Sequence, residues 1–298
     1  MKRFQGAIAV LIGAASFGVL STFVKKAYKA GFSLGEVTGV QALLGMMILW
    51  IIFLLMKASK VNFSNFSRKT PFWKIIVAGF STGLVSILYY KCVQLVPASI
   101  AIVLLMQFIW IGALINYILF KQIPTQKQSI GIILILIATI FATGALESSI
   151  KEISITGILY GLLAALAYAI FIIVNGKIGN DYPPVQKSAL MVTGACIIIF
   201  LLLQPVSLFD MGDNTQIYQF GMLLAVFGTV LPPFLFAFGM PKIDLALGSI
   251  LSAVELPVAV AMSYFVLHEN VSILQWLGVG AILAIVVWIN YKNKSEFK

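Results

Sequence analysis

The chain has 298 residues, of which 61% are hydrophobic and 10% are charged, and its formal net charge is +10. Because soluble domains carry about 25% charged residues, this composition excludes a soluble α/β enzyme and predicts an integral membrane protein. The basic residues are scattered among short segments between apolar runs, which indicates membrane topology rather than a nucleic-acid interface. We therefore expect a surrounding lipid bilayer and no nucleic acid as a partner.

Ten apolar runs are each long enough for a helix that crosses a bilayer, which takes about 20 residues. Turn and charge signals such as Lys25-Lys26 and Pro183-Pro184 separate them. In chain order the runs are 4–24, 34–56, 72–93, 98–120, 127–146, 155–175, 186–204, 216–239, 245–267 and 272–291. The sequence thus predicts an all-α integral membrane protein with ten transmembrane helices, with Glu36 capping the second.

The orientation of these helices follows from the distribution of lysine and arginine, which favour cytoplasmic loops. With the N-terminus inside, 15 of the 20 basic residues fall on the cytoplasmic side, including those of the long basic loop 57–71. The cluster of Lys25, Lys26 and Lys29 is a local exception on the outer side. We expect both termini to be cytoplasmic.

Several chemistries have no support in the sequence. His268 is the only histidine, and Cys92 and Cys196 both fall inside apolar runs, so neither a multi-histidine metal site nor a disulfide framework is indicated. No glycine-rich GxxxxGK[ST] phosphate loop is present. We expect no metal, no cofactor and no ATP-driven step.

The two halves of the chain resemble each other weakly. Five runs per half is an odd number, so the second copy enters the membrane in the opposite orientation, as in inverted-repeat carriers that alternate access to a site near the bilayer midplane. The sequence therefore predicts two five-helix repeats, 1–147 and 148–298. The matched pairs are Thr82 with Thr229, Tyr117 with Tyr264 and Gly131 with Gly278 at a shift of 147, and Phe17 with Tyr168 and Lys26 with Lys177 at a shift of 151.

Two corresponding stretches carry a resemblance to a known family. They are YYKCVQLVPASIAIVLLMQFIWIGALINYILF (89–120) and FAFGMPKIDLALGSILSAVELPVAVAMSYFVLHE (236–269). With AASFGVLSTFVKK (14–26) and LAYAIFIIVNGK (166–177), they resemble the EamA-type transporters of the drug/metabolite transporter superfamily across essentially the whole chain. The resemblance implies a ten-helix carrier of a bacterial-type inner membrane that typically exports amino acids, other small metabolites or drugs.

The first half departs from the family pattern. Gln107-Phe108-Ile109-Trp110 stands where the second half has Val254-Glu255-Leu256-Pro257, so the proline in the middle of the helix is missing. The first-half run also ends in Lys121-Gln122 instead of His268-Glu269. The two halves are therefore expected to offer unequal chemistry to a cargo.

The run from Asp244 to Glu269 contains the most informative residue, Glu255, near its middle. An ionisable group at membrane depth is costly and indicates function. Gly248, Ser252, Glu255, Ala259 and Ser263 share one helix face, which predicts either close helix packing or the wall of a cavity. Glu255 could then bind a cargo amine, couple transport to protons, or hydrogen-bond the backbone that Pro257 leaves exposed.

Other candidates are weaker. Pro232 and Pro233 predict a bend in the eighth run, either a hinge or a static kink. The remaining candidates for the substrate pathway are Tyr90, Lys91, Gln107, Trp110 and Tyr168. For Lys91 the alternatives are a charge that reaches the headgroups and a charge that pairs with Glu255. Gln107 and Trp110, three residues apart, either line a pocket or pack towards lipid or another helix.

These observations predict a secondary transporter that exports amino acids or other small molecules by alternating access. A different cargo, such as a sugar, a nucleotide precursor or a lipid-linked headgroup, is the alternative. A membrane-embedded enzyme is less favoured because no cluster of His, Asp, Ser or Cys lies at membrane depth beside Glu255. Proton coupling and a homodimer packed through the fifth and tenth runs are compatible with the sequence.

Overall fold

A computed structural model describes residues 2–64, 66–96, 98–143, 154–205, 208, 215–268 and 270–290. Regular structure in these residues is helical throughout. Eight helical spans are long and apolar enough to cross a membrane, and two shorter apolar helices, Gln126–Ala142 and Ile273–Ile289, accompany them. The prediction of an all-helical membrane protein is confirmed. The predicted boundary between the repeats, the end of the fifth run and Glu269 lie outside the described residues.

The helices follow the predicted runs closely. Those before residue 143 are α1 (Lys2–Gly18), α2 (Leu20–Lys29), α3 (Leu34–Ala58), α4 (Phe72–Leu95), α5 (Ala98–Met106), α6 (Phe108–Phe120) and α7 (Gln126–Ala142). Those after residue 154 are α8 (Ile155–Lys177), α9 (Pro184–Leu203), α10 (Thr215–Leu224), α11 (Leu231–Gly239), α12 (Leu245–Ser252), α13 (Glu255–Leu267) and α14 (Ile273–Asn290).

Helix starts are fixed by local side chains. At α3, the Ser33 hydroxyl accepts from the backbone N–H of Glu36, and the Glu36 carboxylate accepts from the N–H of Ser33 at 2.7 Å. This reciprocal capping satisfies two donors that the first turn leaves free, and it confirms the expected role of Glu36. Thr125 and Gln128 form the same arrangement at α7.

Two spans are interrupted at corresponding positions. The α5–α6 span breaks at Gln107, whose N–H bonds the carbonyl of Leu104, three residues back. The α12–α13 span breaks at Ala253 and Val254, which also make bonds of three-residue spacing. A tighter turn of this kind ends one helical segment and starts the next on a shifted axis.

The position of the second break corrects an expectation drawn from Pro257. The break precedes Glu255, and Pro257 is the third residue of α13, where a missing N–H costs little because no intrahelical partner is due there. The α5–α6 span breaks without any proline. Proline is therefore compatible with the break and is not its common cause.

The span from Thr215 to Lys242 contains a different irregularity. Its residues Ala225–Val230 form a π-helical segment, and α11 begins directly afterwards with Pro232 and Pro233 in its first turn. Proline cannot bond the carbonyl four residues back, and a π-helical turn accommodates the displaced carbonyls. The predicted bend is thus a widened turn that precedes the two prolines.

Helices of the first half of the chain pack against helices of the second half. α4 packs against α8 and α9, α1 packs against α11, and α3 packs against α9 and the π-helical segment. α7 and α14 pack mainly against each other at the periphery, with exposed apolar residues such as Ile133, Ile137, Leu277 and Val287. The core therefore lies between α1, α3, α4, α8, α9 and α11.

Candidate functional site

A central cavity lies between the candidate membrane-spanning helices. Its lining comes from every candidate span and from neither of the two short helices α7 and α14. Most of its wall is apolar, and the exceptions are a single carboxylate, one amide and several hydroxyls. Among the described residues, no lysine or arginine lines it. A wall of this composition, apolar with a few placed polar groups, is typical of small-molecule sites.

Glu255 supplies the carboxyl group of the cavity. It is the first residue of α13, directly after the break, and only 6% of its surface is exposed. The hydroxyl of Tyr168 on α8 donates to Glu255 Oε2 at 2.9 Å. The ion pair found among the described residues joins Arg3 to Asp244. The Glu255 carboxylate forms no salt bridge with these residues. Glu255 therefore has one neutral partner and a free second oxygen beside the cavity.

Aromatic rings hold Tyr168 in place. The ring of Phe108, the first residue of α6, lies 4.5 Å from that of Tyr168, and Phe17 meets Tyr168 edge-on at 5.8 Å. Phe171 and Phe236 complete the cluster. Since these rings are buried and in contact, the hydroxyl of Tyr168 has little freedom to leave Glu255.

A hydrogen-bonded group of polar residues forms another part of the wall. Tyr90 on α4 donates its hydroxyl to Gln41 Oε1 at 2.9 Å, and Gln41 Nε2 donates to Thr229 Oγ1 at 3.0 Å. Gln41 lies on α3 and Thr229 in the π-helical segment, so three spans meet at one amide. All three residues are buried.

A second cavity adjoins the first. The two share Ser21, Tyr89, Ile102 and Ala259 as lining residues. The second one is more polar, and it is bordered by the helix ends that the basic-residue distribution predicts to be external, with Lys25, Thr143, Asn270 and Gln275 among them. We call it the vestibule.

The opposite ends of the helices are tied together by polar contacts. Gln128 donates to Asp244 at 2.6 Å, and Arg3 lies 3.5 Å from the same carboxylate. Thr70, between α3 and α4, donates through its N–H and its hydroxyl to Asp181, between α8 and α9. Partial burial works against ionisation of Asp181, but the hydrogen bonds from Thr70 outweigh it and hold its pKa below the usual value.

Lys187 strengthens this end of the molecule and was not singled out by the sequence. It is completely buried, and its Nζ donates to the carbonyl of Asn175 at 2.7 Å and to Asn180 Oδ1 at 2.8 Å. Asn175 is in the last turn of α8, where a cation satisfies free carbonyls and opposes the helix dipole. Lys187 thus joins α9 to the end of α8.

The structure brings some of the predicted site residues together and separates others. Glu255, Tyr168 and Tyr90 line the central cavity. Gln107 and Trp110 bond each other at 2.8 Å, and Trp110 is 43% exposed on the outer surface.

Four more predicted residues do not line the central cavity. Ser252 and Pro257 are buried, and the hydroxyl of Ser252 bonds the carbonyl of Gly248. Pro232 is buried within α11. Lys91 is half-buried, and its Nζ lies 3.4 Å from Gln94 Oε1.

The helix face that carries Glu255 divides into two parts. Gly248 packs against Met240, where an added side-chain carbon would lie 2.5 Å from the methionine Cε. Glu255 and Ala259 line the central cavity, and Ser263 lines the vestibule. The two interpretations of this face, packing and cavity wall, therefore each describe part of it.

Gln41, Thr82 and Thr229 in the cavity wall were not predicted as site residues. The signal for Gln41 was available, since it is the only amide in the run 34–56. The two threonines were noticed only as a matched pair of the repeat. A hydroxyl in an apolar helix bonds its own backbone readily, so its presence alone does not indicate a site.

Comparisons with known proteins find related sequences and a shared fold. A sequence model of the EamA-like transporter family matches residues 4–144 and 155–291. The uncharacterized transporter YcbK of Bacillus subtilis (strain 168) is 21% identical, over 98% of this chain and 95% of that protein. The threonine/homoserine exporter RhtA of Escherichia coli (strain K12) is 23% identical, over 88% and 83%. A solved crystal structure superposes with a TM-score of 0.72 over 97% of both chains at 13% identity, which shows a shared fold.

Proposed function

Because the chain belongs to the EamA-like transporter family, we propose that it is a secondary transporter that moves a small polar metabolite by alternating access, without ATP. In this proposal ten transmembrane helices form two inverted five-helix repeats, 1–147 and 148–298, in a bacterial-type inner membrane. Both termini are cytoplasmic, and the central cavity is the cargo site.

Helix packing supports the inverted repeat. In two repeats of five spans, the contact of α4 with α8 corresponds to the contact of α11 with α1, and both contacts are present. The contact of α4 with α9 corresponds in the same way to the contact of the π-helical segment with α3, and both are again present. The left-handed residues that end α6 and α13, Lys121 and His268, are 147 positions apart, which is the shift that aligns the repeats.

The observation that carries the functional proposal is Glu255 in the cavity wall beside Tyr168. A carboxylate without a basic partner is costly at membrane depth, and its retention indicates that a ligand or a proton completes it. An ammonium group of the cargo and a proton can each neutralise the Glu255 carboxylate. Exchange of the two at one carboxylate would couple proton movement to cargo movement.

The two ends of the molecule support an outward-facing state. The central cavity adjoins the vestibule at the predicted external ends of the helices, whereas Arg3, Gln128 and Asp244 join the predicted cytoplasmic ends. Alternating access then requires these contacts, and those between Thr70 and Asp181, to separate when the cavity opens to the cytoplasm.

An amino acid or a similar small amine is the cargo class that we propose. RhtA is named for threonine and homoserine, and a cargo with an amine and a hydroxyl suits a cavity wall with one carboxylate and several hydroxyls. A sugar or a lipid-linked headgroup is the second candidate, favoured by the hydroxyls and the amide of the wall. Cargo with several negative charges is disfavoured, since no described lining residue is basic.

The test is efflux of radiolabelled L-threonine and L-homoserine from proteoliposomes that contain the wild-type chain or the Glu255→Gln variant. We expect the variant to lose at least about 30-fold in kcat/KM, because removing a buried charge partner typically costs about 2–5 kcal/mol. Glu36→Gln is the matched control, since glutamine also serves in a capping box. Equal efflux by wild type and Glu255→Gln contradicts the proposed role of the carboxylate.

A further inference from the structure

Thr82 and Thr229 are equivalent positions of the repeat, and both line the central cavity. The hydroxyl of Thr229 accepts a hydrogen bond from Gln41. Thr82 is 8% exposed, and its hydroxyl oxygen is buried with no hydrogen-bond partner in the described part of the chain. Leaving a buried polar atom without a partner is destabilising. Thr82 therefore places an unpaired hydroxyl in a residue of the cavity wall, where a bound cargo is one group that can supply the partner.

The amide of Gln41, which lines the same cavity, is held in a fixed orientation. Gln41 Oε1 accepts from Tyr90, so the amide NH₂ is turned to Thr229. Because an amide nitrogen carries two hydrogens and Thr229 takes one, a second donor remains at Gln41 Nε2. The hydroxyl of Thr229 accepts from Gln41 and keeps its own hydrogen for donation.

Two glycines make room for this arrangement. A side-chain carbon at Gly228 would lie 2.6 Å from Gln41 Nε2, and one at Gly45 would lie 2.5 Å from Thr229 Cγ2. Both distances are shorter than a van der Waals contact, so larger residues would push Gln41 or Thr229 aside. Gly228 and Thr229 belong to the π-helical segment, a feature often found at functional sites.

We propose that Thr82, Gln41 and Thr229 form a second polar subsite, which donates hydrogen bonds to a carboxylate or carbonyl oxygen of the cargo. All three groups offer donors, and the acceptor of the amide is occupied by Tyr90. No described lysine or arginine lines the cavity, so the group bound here carries at most one negative charge. This inference rests on the proposed transport function, in which Glu255 binds the amine of the same cargo.

The two subsites together select for a molecule that has both an amine and an acceptor oxygen. Glu255 and Tyr168 belong to α13 and α8, whereas the donor subsite belongs to α3, α4 and the π-helical segment. A cargo held by both would link helices that have to move relative to each other between the outward and inward states. Selectivity and transport would then depend on the same contacts.

The experiment compares three matched probes in counterflow assays with proteoliposomes. L-threonine has both groups, 1-amino-2-propanol is its decarboxylated analogue, and 3-hydroxybutyrate lacks the amine. The variants are Thr82→Val, which removes the hydroxyl at constant shape, and Thr82→Ser, which retains it. Thr139→Val is the control, since Thr139 is buried outside the cavity and bonds only its own helix.

We expect Thr82→Val to raise the KM for L-threonine about 10-fold, because a hydrogen bond to a charged group is worth about 1.5–3 kcal/mol. Its kcat should change less, Thr82→Ser should restore the KM, and the Ki of 1-amino-2-propanol should stay as in the wild type. An unchanged KM for L-threonine in Thr82→Val, or an equal loss for both amines, overturns the subsite.

The outcomes separate the subsite from the proposed function. If wild type carries 3-hydroxybutyrate but not L-threonine, and Thr82→Val loses that transport, the donor subsite stands and the amine role of Glu255 fails. If wild type carries L-threonine and Thr82→Val is indistinguishable from Thr139→Val, only the subsite fails. If wild type carries none of the three probes, both fail.

Discussion

The α5–α6 and α12–α13 spans have the same interrupted shape and different chemistry. Both break at a short turn near the middle, at Gln107 and at Ala253–Val254, and both end in a residue with left-handed backbone. The residue that opens the second segment is Phe108 in one span and Glu255 in the other, and both contact Tyr168. The two spans therefore share an interrupted shape, while the carboxyl group belongs to one of them.

The difference shows how two spans of similar shape can bring different chemistry to the same cavity wall. Tyr168 lies between the two equivalent positions, with its ring against Phe108 and its hydroxyl on Glu255. Phe108 of α6 supports the ring of Tyr168, and Glu255 of α13 supplies the group that can bind a cation or a proton. Two carboxylates here would repel each other, and two phenylalanines would leave nothing to bind an amine.

The largest effect on this comparison is expected from Tyr168→Phe, which removes the hydrogen bond to Glu255 and keeps the ring against Phe108. We expect transport to fall about 10-fold, the value of one hydrogen bond to a charged group, while the melting temperature in detergent changes little. Phe108→Leu, the matched variant on the other side of Tyr168, should lower the melting temperature and spare most of the transport. If Tyr168→Phe instead lowered the melting temperature and spared transport, while Phe108→Leu impaired transport, Tyr168 would act through packing and not through its hydroxyl.

A smaller effect is expected from Pro257→Ala. The α5–α6 span breaks with Trp110 at the position that corresponds to Pro257, so the break does not depend on proline. Transport should stay within about threefold of the wild type, since the third residue of a helix has no intrahelical partner for its N–H. Loss of transport comparable to that of Tyr168→Phe would show that the proline has a specific role in the second copy.

The sequence predicted a helical chain, the positions of its apolar runs and Glu255 as a candidate site residue. These depend on local properties, namely run length, hydrophobicity and the rarity of charge at membrane depth. The break at Gln107 was not predicted, because no proline or glycine marks it. The contacts of Gln41 with Tyr90 and Thr229 join residues far apart in the chain, so only the packed structure reveals them.

Two other features could not be placed from the sequence. The backbone expected to be exposed beside Pro257 is interrupted earlier, at Ala253 and Val254. Gln107 and Trp110 share a helix face as predicted, but the sequence did not indicate which way that face points, and Trp110 is on the outer surface. Helical spacing gives neighbours on one helix and does not give the partner across the bundle.

The central claim is that Glu255 is the group in the cavity that meets the cargo. Dicyclohexylcarbodiimide, an apolar reagent for protonated carboxyl groups, tests it directly when the modified residue is identified by mass spectrometry. The account predicts modification at Glu255, its loss in Glu255→Gln, and protection by L-threonine but not by 3-hydroxybutyrate. Modification of Glu255 that no amine-containing probe reduces would contradict the claim.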